Sequence, residues 1–195
     1  FTGSTNFCPK CTKLRAKAKL ALKKEKARKE RISKKYSMSN LAILYQKLTR
    51  ILTPNNCASC GIATTTSGAS QAQGGHMYMK GKYTSVSLFL PNIYNQCASC
   101  NSPHGGAGRP IELSLYGEKF WGKDTMDLIH KSAQVKYSFN RAEREELYEF
   151  VNKALSYAET LTTYGSKEAF YRRLWEEQQK IQCIKQIIND KSRTI

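Results

Sequence analysis

The chain has 195 residues, enough for one ordinary domain with appendages, and 40% of them are hydrophobic, which permits a modest core. Lysine and arginine outnumber aspartate and glutamate 32 to 15, giving a formal net charge of +17. No apolar run approaches the roughly 20 residues of a membrane-spanning helix, and a polybasic stretch stands near the start where a secretory signal would carry an apolar segment.

So large a charge excess goes beyond what solubility needs and points to a polyanionic partner. An anionic membrane would call for an amphipathic basic helix with aromatic anchors. The most basic segment has neither, so nucleic acid is the expected partner and no membrane is expected. Six of the seven cysteines form three CxxC pairs: Cys8 with Cys11, Cys57 with Cys60, and Cys97 with Cys100. Without a signal segment, close pairs read as metal ligands in a reducing compartment, and a cytoplasmic location is expected.

In chain order, the first region, 1–36, is rich in the helix formers Ala, Leu, Lys, Arg and Glu. Only Glu25 and Glu30 oppose its basic residues, and its apolar positions are too sparse for a core face. It is expected to be a solvated helix, or an arm that becomes helical on DNA, with Lys13, Arg15, Lys17, Lys19, Lys23, Lys24, Lys26 and Arg28 binding phosphates. A plain charged linker is the competing reading. Leu41, Leu44, Tyr45, Leu48, Ile51 and Leu52 then fall on one face of a helix over 41–52, which Ser39 or Asn40 can cap and Pro54 ends. From Cys57 to Ile111 the chain is rich in Gly, Ser, Thr and Asn. Two strands are expected here, over 76–79 and 86–90, joined through Lys80-Gly81-Lys82. Pro91 is placed to open a helical turn, and Lys80 and Lys82 add cationic charge beside the first strand. The remainder is expected to be helical. A short helix is expected over 125–131 and a longer one from Asn140, where Asn140 and Glu143 form a capping box. A last helix from Ser166 is expected to carry Phe170, Leu174, Ile181, Ile184 and Ile188 on one stripe. Cys183 reads as a core thiol. A terminal stripe can also pair two subunits, so a homodimer through 140–195 is expected.

Cys57-Ala-Ser-Cys60 and Cys97-Ala-Ser-Cys100 supply the four thiolates of a tetrahedral structural Zn²⁺. The long gap between them suggests an inserted functional element. Cys8 and Cys11 have the form of half a further zinc site, to be completed by ligands upstream or by another subunit, or else left idle. Beside the knuckles lie Gly75-His76, Asn92-Ile93 and Cys100-Asn101. This order resembles the signature of HNH (ββα-metal) nucleases. Histidine titrates near neutrality and can take a proton from the attacking water. The middle asparagine can hold the loop that carries it. Mg²⁺ or Mn²⁺ can neutralise charge on the phosphate and the leaving oxygen.

The stretch CASCG, GGHMYMKG, LFLPNIYNQCASCN, GAG and LYG, over 57–117, resembles the phage NinG (Rap) recombination endonucleases. The basic helix ahead of it and the helical tail behind it agree more loosely. Family members also carry extra cysteines ahead of the basic helix, in keeping with Cys8 and Cys11. The CxxCN element is also similar to the phage endonuclease VII resolvases.

The resemblance implies a structure-selective endonuclease of a phage-encoded type, acting on branched DNA such as Holliday junctions or D-loops. Carried over, His76 is the general base, Asn92 the orienting residue and Asn101 a ligand of the catalytic metal. The implied fold is α+β: a zinc-stapled ββα-metal module over 37–117, between the basic arm of 1–36 and a helical region over 118–195. Two departures stand out. The resolvases carry Asp before the histidine where this chain has Gly75, which leaves the second metal ligand unassigned; His104, just behind the CxxCN element, is the candidate. The family's SGN is Gly106-Ala107-Gly108 here. The alternative function is a non-catalytic, zinc-dependent DNA- or RNA-binding protein on the same scaffold. His130 falls on a helix and reads as a surface or core histidine.

Overall fold

The computed structural model describes residues 9–102 and 108–190. The chain divides into two compact units, Phe1–Ser37 and Met38–Ile195. The first unit contains α1 (Pro9–Lys35), as its composition predicts. From Lys13 to Lys35 every side chain is exposed except Glu25 and Ile32, which are partly buried. Arg28 and Lys29 pair with Glu25, and Lys34 pairs with Glu30, all at i,i+3 or i,i+4 spacing. Exposed pairs of this kind add only a few tenths of a kcal/mol each.

The second unit starts with α2 (Met38–Leu52), whose Leu41, Ala42, Tyr45, Leu48, Thr49 and Leu52 are buried. The expected stripe is therefore present, with Leu44 and Ile51 at its partly buried margins. Two antiparallel strands follow, β1 (Ala72–His76) and β2 (Ile93–Cys97). Their register runs from Ala72 opposite Cys97 to His76 opposite Ile93. Then come α3 (Ala98–Asn101), α4 (Pro110–Trp121), α5 (Lys123–Ala133), α6 (Arg141–Ala158), α7 (Tyr164–Gln178) and α8 (Gln182–Ile188). The unit is thus mainly helical around one small hairpin. Among the described residues, no helix is long and apolar enough to cross a membrane.

Three expected elements differ from the structure. The strand expected over 76–79 is displaced: β1 ends at His76 and runs back to Ala72. The strand expected over 86–90 is absent. Every residue in that stretch is buried, so neither face is free to alternate. Single 3-10 turns at Thr84–Val86 and Leu90–Asn92 flank it instead, the second containing Pro91. The last helix is two, because the chain turns between α7 and α8: the Lys180 and Ile181 N–H groups bond back to Glu177 and Gln178. The Asn140–Glu143 capping box forms at α6.

One core runs through the second unit, from Leu41 and Leu48 through Phe89, Ile93, Leu113 and Met126 to Val151, Leu174 and Ile184. Each such fully buried side chain contributes about 1.5–3 kcal/mol of burial free energy. The C-terminal helices reach into this core to hold the loop ahead of β2. Gln178, fully buried, donates to the Leu88 carbonyl and accepts from the Leu90 N–H. The Tyr171 hydroxyl lies 3.0 Å from that of Thr49 and donates to the Leu90 carbonyl at 3.2 Å.

Candidate functional site

The sulfurs of Cys57, Cys60, Cys97 and Cys100 all lie within 4.8 Å of one another. None of the four is in a disulfide. Cys60 and Cys97 are 3.9 Å apart, close to the roughly 3.8 Å edge of a tetrahedron built on about 2.3 Å zinc–thiolate bonds. Backbone bonds build the cage. The Cys57 N–H donates to the Ile62 carbonyl, the Gly61 N–H returns to Cys57, and the Ala58 N–H donates to Asn95 on β2. Burial alone would raise the Cys57 thiol, but the backbone donors of Cys97, Cys60 and Ser59 outweigh it and bring it down to about 7. Burial, and then the neighbouring thiols, push Cys100 upward. Four thiols that share so small a volume cannot all ionise without a cation between them. Among the described residues this is the only cluster of three or more Cys, His, Asp or Glu side chains placed to hold a metal.

His76 ends β1, and its Nε2 lies 3.1 Å from the Ser87 carbonyl oxygen. A carbonyl only accepts, so in the neutral ring Nε2 carries the hydrogen and Nδ1 keeps its lone pair. Burial lowers the His76 pKa to about 4; the Ser87 carbonyl opposes this and the Lys80 charge adds to it. The imidazole is therefore neutral at pH 7. Asn92 is fully buried, and its side chain clamps the chain just after the histidine. It accepts the Tyr78 N–H at 2.8 Å and donates to the carbonyls of Tyr78 and Val86 at 3.1 and 2.9 Å. The Met77 N–H donates to the Asn92 carbonyl at 3.0 Å. One asparagine thus fixes both sides of the loop that carries His76 and Ser87.

Asn101, at the end of α3, donates to Gln73 Oε1 at 2.9 Å. Successive residues of a strand alternate faces, so Gln73 and Gly75 share one face of β1 while Gly74 and His76 share the other. Both glycines sit against the side chain of a glutamine. A Cβ at Gly74 would overlap the Gln46 side chain of α2, and one at Gly75 would overlap the amide oxygen of Gln96. The structure therefore pairs His76 with the Asn92 loop and Asn101 with Gln73, and no hydrogen bond joins the two pairs. The space in which a carboxylate at position 75 would start is filled by Gln96.

Gln96 was not expected at the site. It is fully buried and donates to Ser59 Oγ in the first knuckle at 2.6 Å and to the Gly108 carbonyl at 2.8 Å. Its one hint in the sequence is a glutamine next to a ligand cysteine; that the strand is buried along its whole length follows only from the fold. A polar side chain there has to find partners on the elements packed over it.

Lys80 and Lys82 are exposed on the turn after Tyr78, with the Lys82 ammonium over the Tyr83 ring. The expected phosphate-binding residues of α1, from Lys13 to Arg28, are all exposed, and Arg28 is bonded to Glu25. His130 is exposed on α5 and bonds the Tyr78 hydroxyl through Nδ1. Cys8, His104, Gly106, Ala107 and the side chain of Cys11 lie outside the described residues. Cys183 is a buried free thiol in the core. No protein-family model, curated protein or solved structure matches the chain.

Proposed function

We propose that the protein is a zinc-stapled, HNH-type (ββα-metal) endonuclease that hydrolyses the phosphodiester backbone of branched DNA, such as a Holliday junction or a D-loop. The observation that carries this reading is His76: a neutral imidazole, oriented by the Ser87 carbonyl and an Asn92-clamped loop, one strand away from a four-thiol cage. The sequence resemblance to NinG nucleases, in the order His76, Asn92, Asn101, supports it independently.

In this reading Cys57, Cys60, Cys97 and Cys100 hold a structural Zn²⁺ that contributes folding energy. The Nδ1 lone pair of His76 accepts a proton from the water that attacks phosphorus. Asn92 keeps the ring from turning away. Asn101 offers a hard amide oxygen of the kind Mg²⁺ and Mn²⁺ prefer, and His104 is the second candidate ligand. Such an ion, when bound, neutralises charge on the phosphate and the leaving oxygen. The exposed lysines and arginines of α1, with Lys80 and Lys82, bind flanking phosphates. A phage-encoded protein in a bacterial cytoplasm fits this activity, and two symmetric strands at a junction suit a homodimer through residues 140–195.

A second reading is favoured by one observation: position 75 carries no carboxylate, and the Gln96 amide occupies the space where one would start. On that ground the scaffold would bind DNA or RNA through zinc-held structure without cutting it. Incubation of the purified chain with Mg²⁺ and a four-way junction, a linear duplex or RNA separates the two. Junction cleavage is expected; binding without cleavage under Mg²⁺ or Mn²⁺ would establish the second reading.

A further inference from the structure

A cleft of about 320 Å³ between the exit of β1 and α4 takes no part in the chemistry above. Its lining includes Met77, Tyr78, Pro110, Ile111, Leu115 and His130. It is apolar yet open. Ile111 is 74% exposed, and Leu115 one helical turn later is 64% exposed. Apolar side chains gathered this way on a strongly cationic protein mark a binding surface.

Tyr78 is the fixed wall. Asn92 holds its N–H and its carbonyl. Its hydroxyl is hydrogen-bonded to His130, and the Tyr83 and His130 rings stand edge-on to it, with centroids 5.0 and 5.5 Å away. Cationic residues adjoin the lining residues in sequence, outside the lining itself. Lys80 and Lys82 follow Tyr78, and Arg109 precedes Pro110. Glu112 reaches Arg109 only at 3.8 Å, and Asp127 lies one turn before His130. The ligand that matches has a planar, apolar body with anionic groups on both sides.

We infer that this cleft receives one unpaired nucleobase, stacked against Tyr78, Ile111 and Leu115, with its flanking phosphates on Lys80, Lys82 and Arg109. The inference rests on the nucleic-acid reading above and names how a branched substrate is told from a continuous duplex. Paired bases are stacked within the helix; a branch point offers bases that are free to leave it. Base–aromatic stacking tolerates any sequence because every base has a π-face. Tyr78 lies two residues from His76 and shares its Asn92 clamp, so a base held here positions its own backbone beside the imidazole.

The test uses the full chain and DNA carrying 2-aminopurine at an unpaired position, with the same analogue inside a continuous duplex as reference. The expected results are fluorescence quenching at the unpaired position and about tenfold tighter binding to that DNA than to the duplex. The double variant Ile111→Ser, Leu115→Ser changes exposed positions and should melt like the wild type. It should lose both the quenching and the preference. Tyr78→Phe should keep them, because the ring remains; Tyr78→Leu should not. Full quenching and preference in the double variant would overturn the inference. So would a wild-type chain that binds DNA without quenching, and that outcome leaves the nuclease reading standing. A wild-type chain that binds no nucleic acid removes both.

Discussion

Two consecutive helices of this protein are held by different physics. α1 spans 27 residues, and from Lys13 to Lys35 almost nothing is buried; α2 spans 15 and buries six side chains in the core. Helix propensity and local ion pairs sustain α1, whereas packing sustains α2. A helix that buries nothing contributes little to the stability of a fold, so its charge is free to serve a partner. α2 sits under the hairpin, with its Gln46 side chain against Gly74, and serves the site by fixing it. In the proposed reading the difference separates what builds the site from what brings a polyanion to it.

That separation can be broken most severely at the cage. In the proposed reading Cys97→Ser removes a zinc ligand whose binding energy is folding energy. It is expected to cost about 5 kcal/mol or more, abolish zinc binding and unfold the second unit. Circular dichroism would nonetheless retain helical signal from α1. A fully folded, zinc-free variant would show that the four thiols are only a packed cluster.

Asn92→Ala comes next. It strands the Tyr78 N–H and two carbonyls in a buried place, with an expected cost of about 3 kcal/mol by chemical denaturation. A loss below about 1 kcal/mol would mean that the loop holds itself.

The His76 imidazole gives a smaller, pH-dependent effect. Unfolded, it titrates near 6.5; folded, near 4. Between these values the unfolded chain takes up the proton and the folded chain does not. Its contribution to stability is therefore complete above about pH 6.5 and is lost as pH falls toward 4. The loss should reach about 2–3 kcal/mol. In His76→Gln the fall in stability between pH 7 and 4.5 should be shallower by that amount. Equal falls in the two proteins would show that the ring is not buried as described.

Removing residues 1–36 should change the stability of the second unit least, by under about 0.5 kcal/mol. Its effect should lie in DNA binding, where every phosphate that α1 no longer neutralises flattens the log–log salt slope by roughly 0.9 for duplex DNA. An unchanged slope would make α1 a solvated linker.

The elements legible in the sequence are those in which one local signal dominates. The α2 stripe, the Asn140–Glu143 box, the basic run of α1 and the grouping of Cys57 and Cys60 with Cys97 and Cys100 each announced themselves, and each is present. The hairpin was harder to read. Ala-Gln-Gly-Gly has little strand propensity, and β1 exists because β2 and α2 pack against it. Residues 86–90 look like a strand by composition, but burial on all sides removes the alternation that pairing would need. At the candidate site, residue types and order singled out His76, Asn92 and the four cysteines that the fold brings together. They did not identify Ser87, which orients the imidazole through its backbone, or Gln96, which ties knuckle and loop together and lies against Gly75. Backbone acceptors and steric fits carry no side-chain signature.

In the proposed reading His76 does chemistry on DNA that the rest of the molecule only holds and presents. The most direct measurement is cleavage of a four-way junction under Mg²⁺ by the wild type and by His76→Ala, with zinc content, melting at pH 8 and junction affinity followed in parallel. The expected result is a rate lower by about 10²–10⁴-fold with zinc and affinity retained. A His76→Ala protein that cuts the junction at the wild-type rate would contradict the account.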